Sequence, residues 1–103
     1  MITLVTLLKR RPSDSLEQFA AWYADHAQFA AGIPHLQRYV VNVAAEDGQA
    51  WDAVSQLTFA SREEMQAGLD SEIGSQSRAD TRAHVSAREV LVVEQTEVEL
   101  PTA

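Results

Sequence analysis

Short β-branched apolar runs alternate along this chain with stretches whose apolar residues recur at helical spacing. Ile2-Thr3-Leu4-Val5-Thr6-Leu7-Leu8, stopped by Arg11-Pro12-Ser13, predicts a first strand. Ser15-Leu16-Glu17-Gln18 has the spacing of a capping box, a serine followed three residues later by glutamine. It predicts a helix from about Leu16 to Ala31 that ends at Gly32, with Pro34 just beyond. Leu36 to Ala44 predicts a second strand, Glu46-Asp47-Gly48-Gln49 a turn, and Trp51 to Phe59 a third strand paired with the second as a hairpin. Ser61-Arg62-Glu63-Glu64 repeats the capping-box spacing and opens a short helix through about Leu69. Glu72 to Val85 is polar with interspersed alanines and predicts a second short helix or a continuation of the first. Glu89 to Glu94 is the last strand, and Pro101 marks a frayed end. The order β-α-β-β-α-β makes one α+β domain over residues 1–103, with no internal repeat or linker.

The first and last strands are apolar on both sides. Ile2, Leu4 and Leu8 fall on one face and Val5 and Leu7 on the other, while Val90 and Val92 oppose Leu91 and Val93. A half-solvated sheet would alternate apolar with polar residues. Two helices can cover one face, and a second copy of the chain is the simplest cover for the other, so a homodimer is expected.

Composition narrows the partners. Eight Lys and Arg against 15 Asp and Glu give a net charge of −7, and the only basic cluster is Lys9-Arg10-Arg11, so nucleic acid is not an expected partner. With no cysteine there are no disulfides, thiolate metal sites or Cys nucleophiles, a usage compatible with the cytoplasm, where the chain is expected. Met1 to Leu8 is apolar but too short to cross a bilayer and lacks a preceding basic stretch, so no membrane association is expected.

The first helix carries the candidate chemistry. Leu16, Phe19, Tyr23, Ala27 and Ala30 form one stripe, expected to pack on the sheet. Trp22, His26, Phe29 and Ile33 form a second stripe beside it, expected to meet the other helix or to wall a cleft. An imidazole among aromatic rings can serve as a general base; it can equally be a buried histidine with no catalytic role. Asp25 points away from His26 and is a poor orienting partner. Tyr39 shares a strand face with Val41 and Val43, so its ring should be buried with a hydroxyl in need of a partner, which is either a backbone group or a substrate carbonyl. Asp80 and His84 lie one helical turn apart, where Asp80 can orient His84 near the cleft or the two can form a surface pair. His35 is expected exposed at a turn, and the spacing of His26, His35 and His84 matches no established metal-ligand motif. Arg11, Arg38 and Arg82 are candidates for gripping a carboxylate, or simply solubilising charges. Phosphate loops and dinucleotide fingerprints are lacking.

The ordered set Lys9-Arg10-Arg11-Pro12, then Phe19, Trp22 and His26, then Pro34, Leu36, Arg38-Tyr39-Val40 and Asn42, resembles the EthD family. Trp51-Asp52 with Val54, Phe59 with Ser61, and Asp80 extend the likeness over most of the chain. The resemblance implies a ferredoxin-like antiparallel sheet whose dimer forms an α+β barrel, with a cleft between helices and sheet in each subunit. It also implies chemistry on small carbonyl compounds, since members serve ether degradation, polyketide dehydration and lactone isomerisation. A methylmuconolactone methylisomerase of that family is similar in placing a histidine and a tyrosine at the positions of His26 and Tyr39, and it works without metal or organic cofactor. The expectation is a cofactor-independent isomerase or dehydratase acting on a small apolar carbonyl compound such as a lactone, a polyketide or an intermediate of aromatic catabolism. His26 and Tyr39 would be catalytic, with Trp22, Phe29, Ile33, Asp80 and His84 contacting substrate. A cofactor-free oxygenase of the same architecture and a non-catalytic ligand-binding protein are the alternatives.

Overall fold

The computed structural model describes residues 1–102. Four strands, β1 (Ile2–Arg10), β2 (Leu36–Val43), β3 (Ala53–Phe59) and β4 (Val85–Val93), form one sheet in the order β2-β3-β1-β4, every neighbouring pair antiparallel. Three helices, α1 (Leu16–Ala30), α2 (Arg62–Asp70) and α3 (Glu72–His84), complete the β-α-β-β-α-β order, the second helical segment being broken in two. The result is a ferredoxin-like α+β fold.

Local signals decide where the helices start. Ser15 accepts a hydrogen bond from the Gln18 amide at 3.0 Å and the Gln18 side chain accepts one from the Ser15 amide at 2.8 Å, so both arms of the capping box form. Ser61 caps α2 by accepting from Glu64 N at 3.1 Å. Ser71 ends α2 and caps α3, accepting from Gly74 N while its hydroxyl donates to Gly68 O at 2.6 Å. This serine divides the polar segment. The corner is tight: a Cβ on Gly68 would meet Pro34 O at 2.5 Å, and one on Gly74 would meet Gly68 O at 2.4 Å.

Several boundaries differ from those the pattern predicts. The first helix stops at Ala30, with Ala31 as a right-handed cap, and leaves through turns closed by Gly32 N to Phe29 O and Ile33 N to Ala30 O. Gly32 therefore supplies no left-handed cap; the positive φ of this connection is at exposed His35, 69°. The third strand begins at Ala53 rather than Trp51 because Asp52 is held elsewhere: its carboxylate accepts from Arg10 N at 2.8 Å, and its own amide donates to Leu8 O. The fourth begins at Val85, directly after α3, because β1 extends to Arg10 and pairs with it there.

Register places the side chains in rows. On the helix-covered face Ile2 pairs with Phe59, Leu4 with Leu57, Thr6 with Ser55 and Leu8 with Ala53. Two apolar clusters result, one around Ile33, Leu57, Phe59 and Met65, the other around Leu8, Phe19, Tyr23 and Ala53. Between them the floor is the Thr6–Ser55 row, whose short side chains fill less of the space beneath the helices than Leu4 and Leu57 on one side and Leu8 on the other.

Candidate active site

A cavity of about 170 Å³ lies over that row, between α1, α3 and the sheet. Its wall includes Leu4, Leu8, Ala30, Ile33, Leu57 and Leu69, so it is mainly apolar, and its polar groups come from a few positions on both layers. A cavity near this size can hold a molecule about as large as a six-membered ring. Leu57 and Ile33 belong to one core cluster, Leu8 and Tyr23 to the other, so the space is framed by packed side chains on both flanks.

His26 stands in the wall, 8% exposed, on the buried stripe of α1 with Phe19, Tyr23 and Ala30. Its Nδ1 lies 2.8 Å from Asp80 Oδ2. A carboxylate only accepts, so the Nδ1 proton is fixed there and Nε2 carries the free lone pair. Nε2 lies 3.4 Å from Thr81 Oγ1, but that hydroxyl also sits 3.0 Å from Ser77 O and donates its single proton to it. Nε2 thus faces an oxygen with no proton to give, and it is available to a molecule in the cavity.

Asp80 is the hub of this arrangement. Oδ2 also accepts from Trp22 Nε1 at 3.2 Å, and Oδ1 lies 3.2 Å from His84 Nδ1, which is 2.8 Å from Asp80 O. The indole of Trp22 stacks on His84, centroids 4.8 Å apart at 16°, and on Tyr23 at 5.5 Å and 17°. These contacts fix the Asp80 carboxylate from three sides and so fix the His26 tautomer.

Tyr39 lines the opposite wall, on the sheet beside Leu57. Tyr23 and Ser55 line the same space beside it. Burial, with the Tyr23 hydroxyl beside it, pushes the Tyr39 phenol far above its ordinary value. Burial raises Tyr23 as well, against the opposing contacts with Ser55 and Tyr39. Tyr39 is therefore a neutral hydrogen-bonding group throughout the working pH range.

The expected substrate contacts separate into three groups. Ile33 lines the cavity, as do His26 and Tyr39. Trp22, Asp80 and His84 stand behind His26 rather than in the wall, because the Asp80 carboxylate turns toward the two imidazoles and the indole. Phe29 is 44% exposed and points away from the cavity; at about 100° per residue it lies past the edge of the buried stripe. Asp80 orients His26 as well as contacting His84, a pairing across 54 residues that helix spacing could not reveal. Thr81 and Ser77 carry helical spacing with Gly74, all three buried on one side of α3, but a stripe without apolar residues escapes a search for hydrophobic period. Among the described residues no three His, Cys, Asp or Glu side chains converge as a metal-ligating set, and no helix is long and apolar enough to cross a membrane.

A ferredoxin-like domain with a histidine-walled apolar cavity under its helices is the class these features define. The EthD domain pattern matches residues 11–87, and the chain belongs to the EthD family. The fold is shared with an EthD family protein of Bacillus halodurans, at TM-score 0.79 and 17% identity over 93% of this chain and 99% of that one. A dimeric protein with a ferredoxin-like fold from Bacteroides fragilis aligns at TM-score 0.75 and 12% identity, over 91% of this chain and 95% of its own. SnoaB, a cofactor-independent oxygenase from Streptomyces nogalater, aligns at 0.70 and 15%, covering 94% of each chain. No curated protein matches the chain.

Proposed function

We propose that the chain is a cofactor-independent acid-base enzyme acting on a small, largely apolar carbonyl compound. The supporting observation is the His26 geometry: Nδ1 held by Asp80 at 2.8 Å, Nε2 in the cavity wall, and the one nearby hydroxyl proton committed to Ser77 O. His26 Nε2 takes a proton from the carbon next to the carbonyl, and the electron pair moves into a carbon–carbon double bond as the oxygen becomes an enolate. The Tyr39 hydroxyl hydrogen-bonds that oxygen, and Asp80 stabilises the imidazolium. Return of the proton to a different carbon completes an isomerisation. Its delivery to a departing β-hydroxyl, lost as water, completes a dehydration. Trp22 shields the back of the imidazole from solvent, while Ile33 holds the apolar body of the substrate.

The active form on this reading is a homodimer in which two copies cover each other's open sheet faces as an α+β barrel. Support comes from the apolar side chains Val5, Leu7 and Leu91 on that face and from the description of the Bacteroides fragilis protein as dimeric.

Deuterium uptake next to the carbonyl of α-angelica lactone and of 4-oxopentanoate, followed by proton NMR in heavy water, tests the chemistry. His26→Gln is expected to lower uptake about 10²- to 10⁴-fold, the usual contribution of a positioned base, with the circular dichroism spectrum unchanged. Uptake that survives the substitution removes His26 from the mechanism. Ligand binding with no uptake in either form favours a binding protein.

The fold shared with SnoaB supports a second reading, in which the deprotonated substrate gives four electrons to dioxygen, one oxygen atom entering the substrate and the other leaving as water. Oxygen consumption with 1,4-dihydroxynaphthalene, abolished in His26→Gln, would select it; no consumption retires it.

A further inference from the structure

The rim of the cavity carries charge that the proton-transfer chemistry does not use. Arg78 on α3 and Arg88 on β4 both line the cavity, one from its helical and the other from its sheet side. No aspartate or glutamate lines the cavity. In a chain with 15 acidic residues and a net charge of −7, neither arginine forms an ion pair or side-chain hydrogen bond among the described residues. Arg10 and Arg11 each hold an aspartate, while Arg38, Arg62 and Arg82 likewise form no ion pair among the described residues, so it is their place in the cavity lining that sets Arg78 and Arg88 apart.

We propose that the natural ligand is a carboxylic acid whose carboxylate is held at this rim by Arg78 and Arg88, while its apolar, carbonyl-bearing body extends inward toward His26 and Tyr39. Guanidinium groups match carboxylates in shape and charge, and a cationic rim on an acidic protein draws an anion to this one opening. With about 170 Å³ available, the body is about the size of one substituted ring or a short branched chain, which narrows the substrate class to small oxo acids and lactone acids. The inference rests on this cavity being the reaction site proposed above, but its test reads binding and not turnover.

Isothermal titration calorimetry with phenylacetate and its neutral isostere phenylacetamide tests it. The acid is expected to bind about tenfold or more tightly than the amide. Arg78→Gln and Arg88→Gln should each shrink that preference. The double variant should abolish it without weakening the amide, and Arg82→Gln, outside the cavity wall, should leave it intact. Equal affinities in the natural sequence, a preference that survives in the double variant, or binding of neither compound overturns the proposal. His26→Gln keeps the preference if the acid site is right, whether or not the proton-transfer reading survives.

Discussion

The two faces of the sheet come from the same four strands and end in opposite conditions. On the helix-covered face, Leu8 and Phe59 are essentially sealed, and the Thr6–Ser55 row leaves a hollow between two packed clusters. On the other face, Thr3 and Thr58 share a hydroxyl hydrogen bond of 2.9 Å at one end, where Gln95 and Glu97 of the C-terminal segment lie beside them. Trp51 sits near Leu7 and Val54 at the other end, and Leu91 on the edge strand is 61% exposed. Apolar content alone does not distinguish the faces. Side-chain size along each row does: long residues flanking short ones make a cavity under helices, whereas valines and leucines with no helix above them make a flat surface suited to another flat surface.

The largest expected effect on that contrast comes from its tightest point. Phe59→Ala should cost about 3–5 kcal/mol in urea unfolding, since Phe59 is fully buried between α2 and the sheet. A loss below about 1 kcal/mol would mean that the covered face is not packed as described. Asp80→Asn comes next. An amide can donate to Nδ1 and favour the wrong tautomer, so deuterium uptake should fall about 10²-fold with stability little changed. Unchanged uptake would leave Asp80 a purely structural partner. On the open face, Leu91→Glu should weaken the proposed dimer, because burying a leucine contributes about 1.5–3 kcal/mol and a buried unpaired carboxylate opposes assembly. Light scattering across a dilution series reads this; a natural-sequence chain that is already monomeric breaks the idea that a second copy covers this face.

The smallest effect is invisible at neutral pH. Tyr23 and Tyr39 are the chain's two tyrosines, and both are raised above the ordinary value of about 10. The folded state then holds the phenolic protons more tightly than the unfolded chain does. Their contribution to stability is fully present below pH of about 10 and is lost as pH climbs toward the folded values. Absorbance near 295 nm should show no tyrosinate until unfolding begins. An ordinary titration at about pH 10 in the folded protein would place one of the hydroxyls in solvent.

Much of this arrangement was legible in the chain. The capping box at Ser15, the serine cap at Ser61, the hairpin around Gly48 and the two-sided apolar character of β1 and β4 rest on contacts or alternations spanning a few residues, and pattern reading reaches those. His26 and Tyr39 also stand out in the sequence, through an aromatic stripe and a resemblance, and the fold brings both to one cavity. Phe29 is not legible in this way, because an apolar residue at the margin of a stripe is sealed or exposed according to how a helix is rotated on its sheet. Arg78 and Arg88 carry no mark that sets them apart from Arg11, Arg38 and Arg82, since nothing local separates an arginine at a cavity rim from one in solvent.

The sequence by itself determined the order of elements, the helix starts and the apolar rows, because each depends on side chains that meet within a turn of helix or alternate along a strand. Tertiary structure decided the partner of His26, the hollow above Thr6 and Ser55, and the company of two arginines at its mouth. Those depend on strand register and on how α1 and α3 lie together, which place Asp80 against His26 across 54 residues of chain. Such contacts arise from packing the whole domain, and no local period records them.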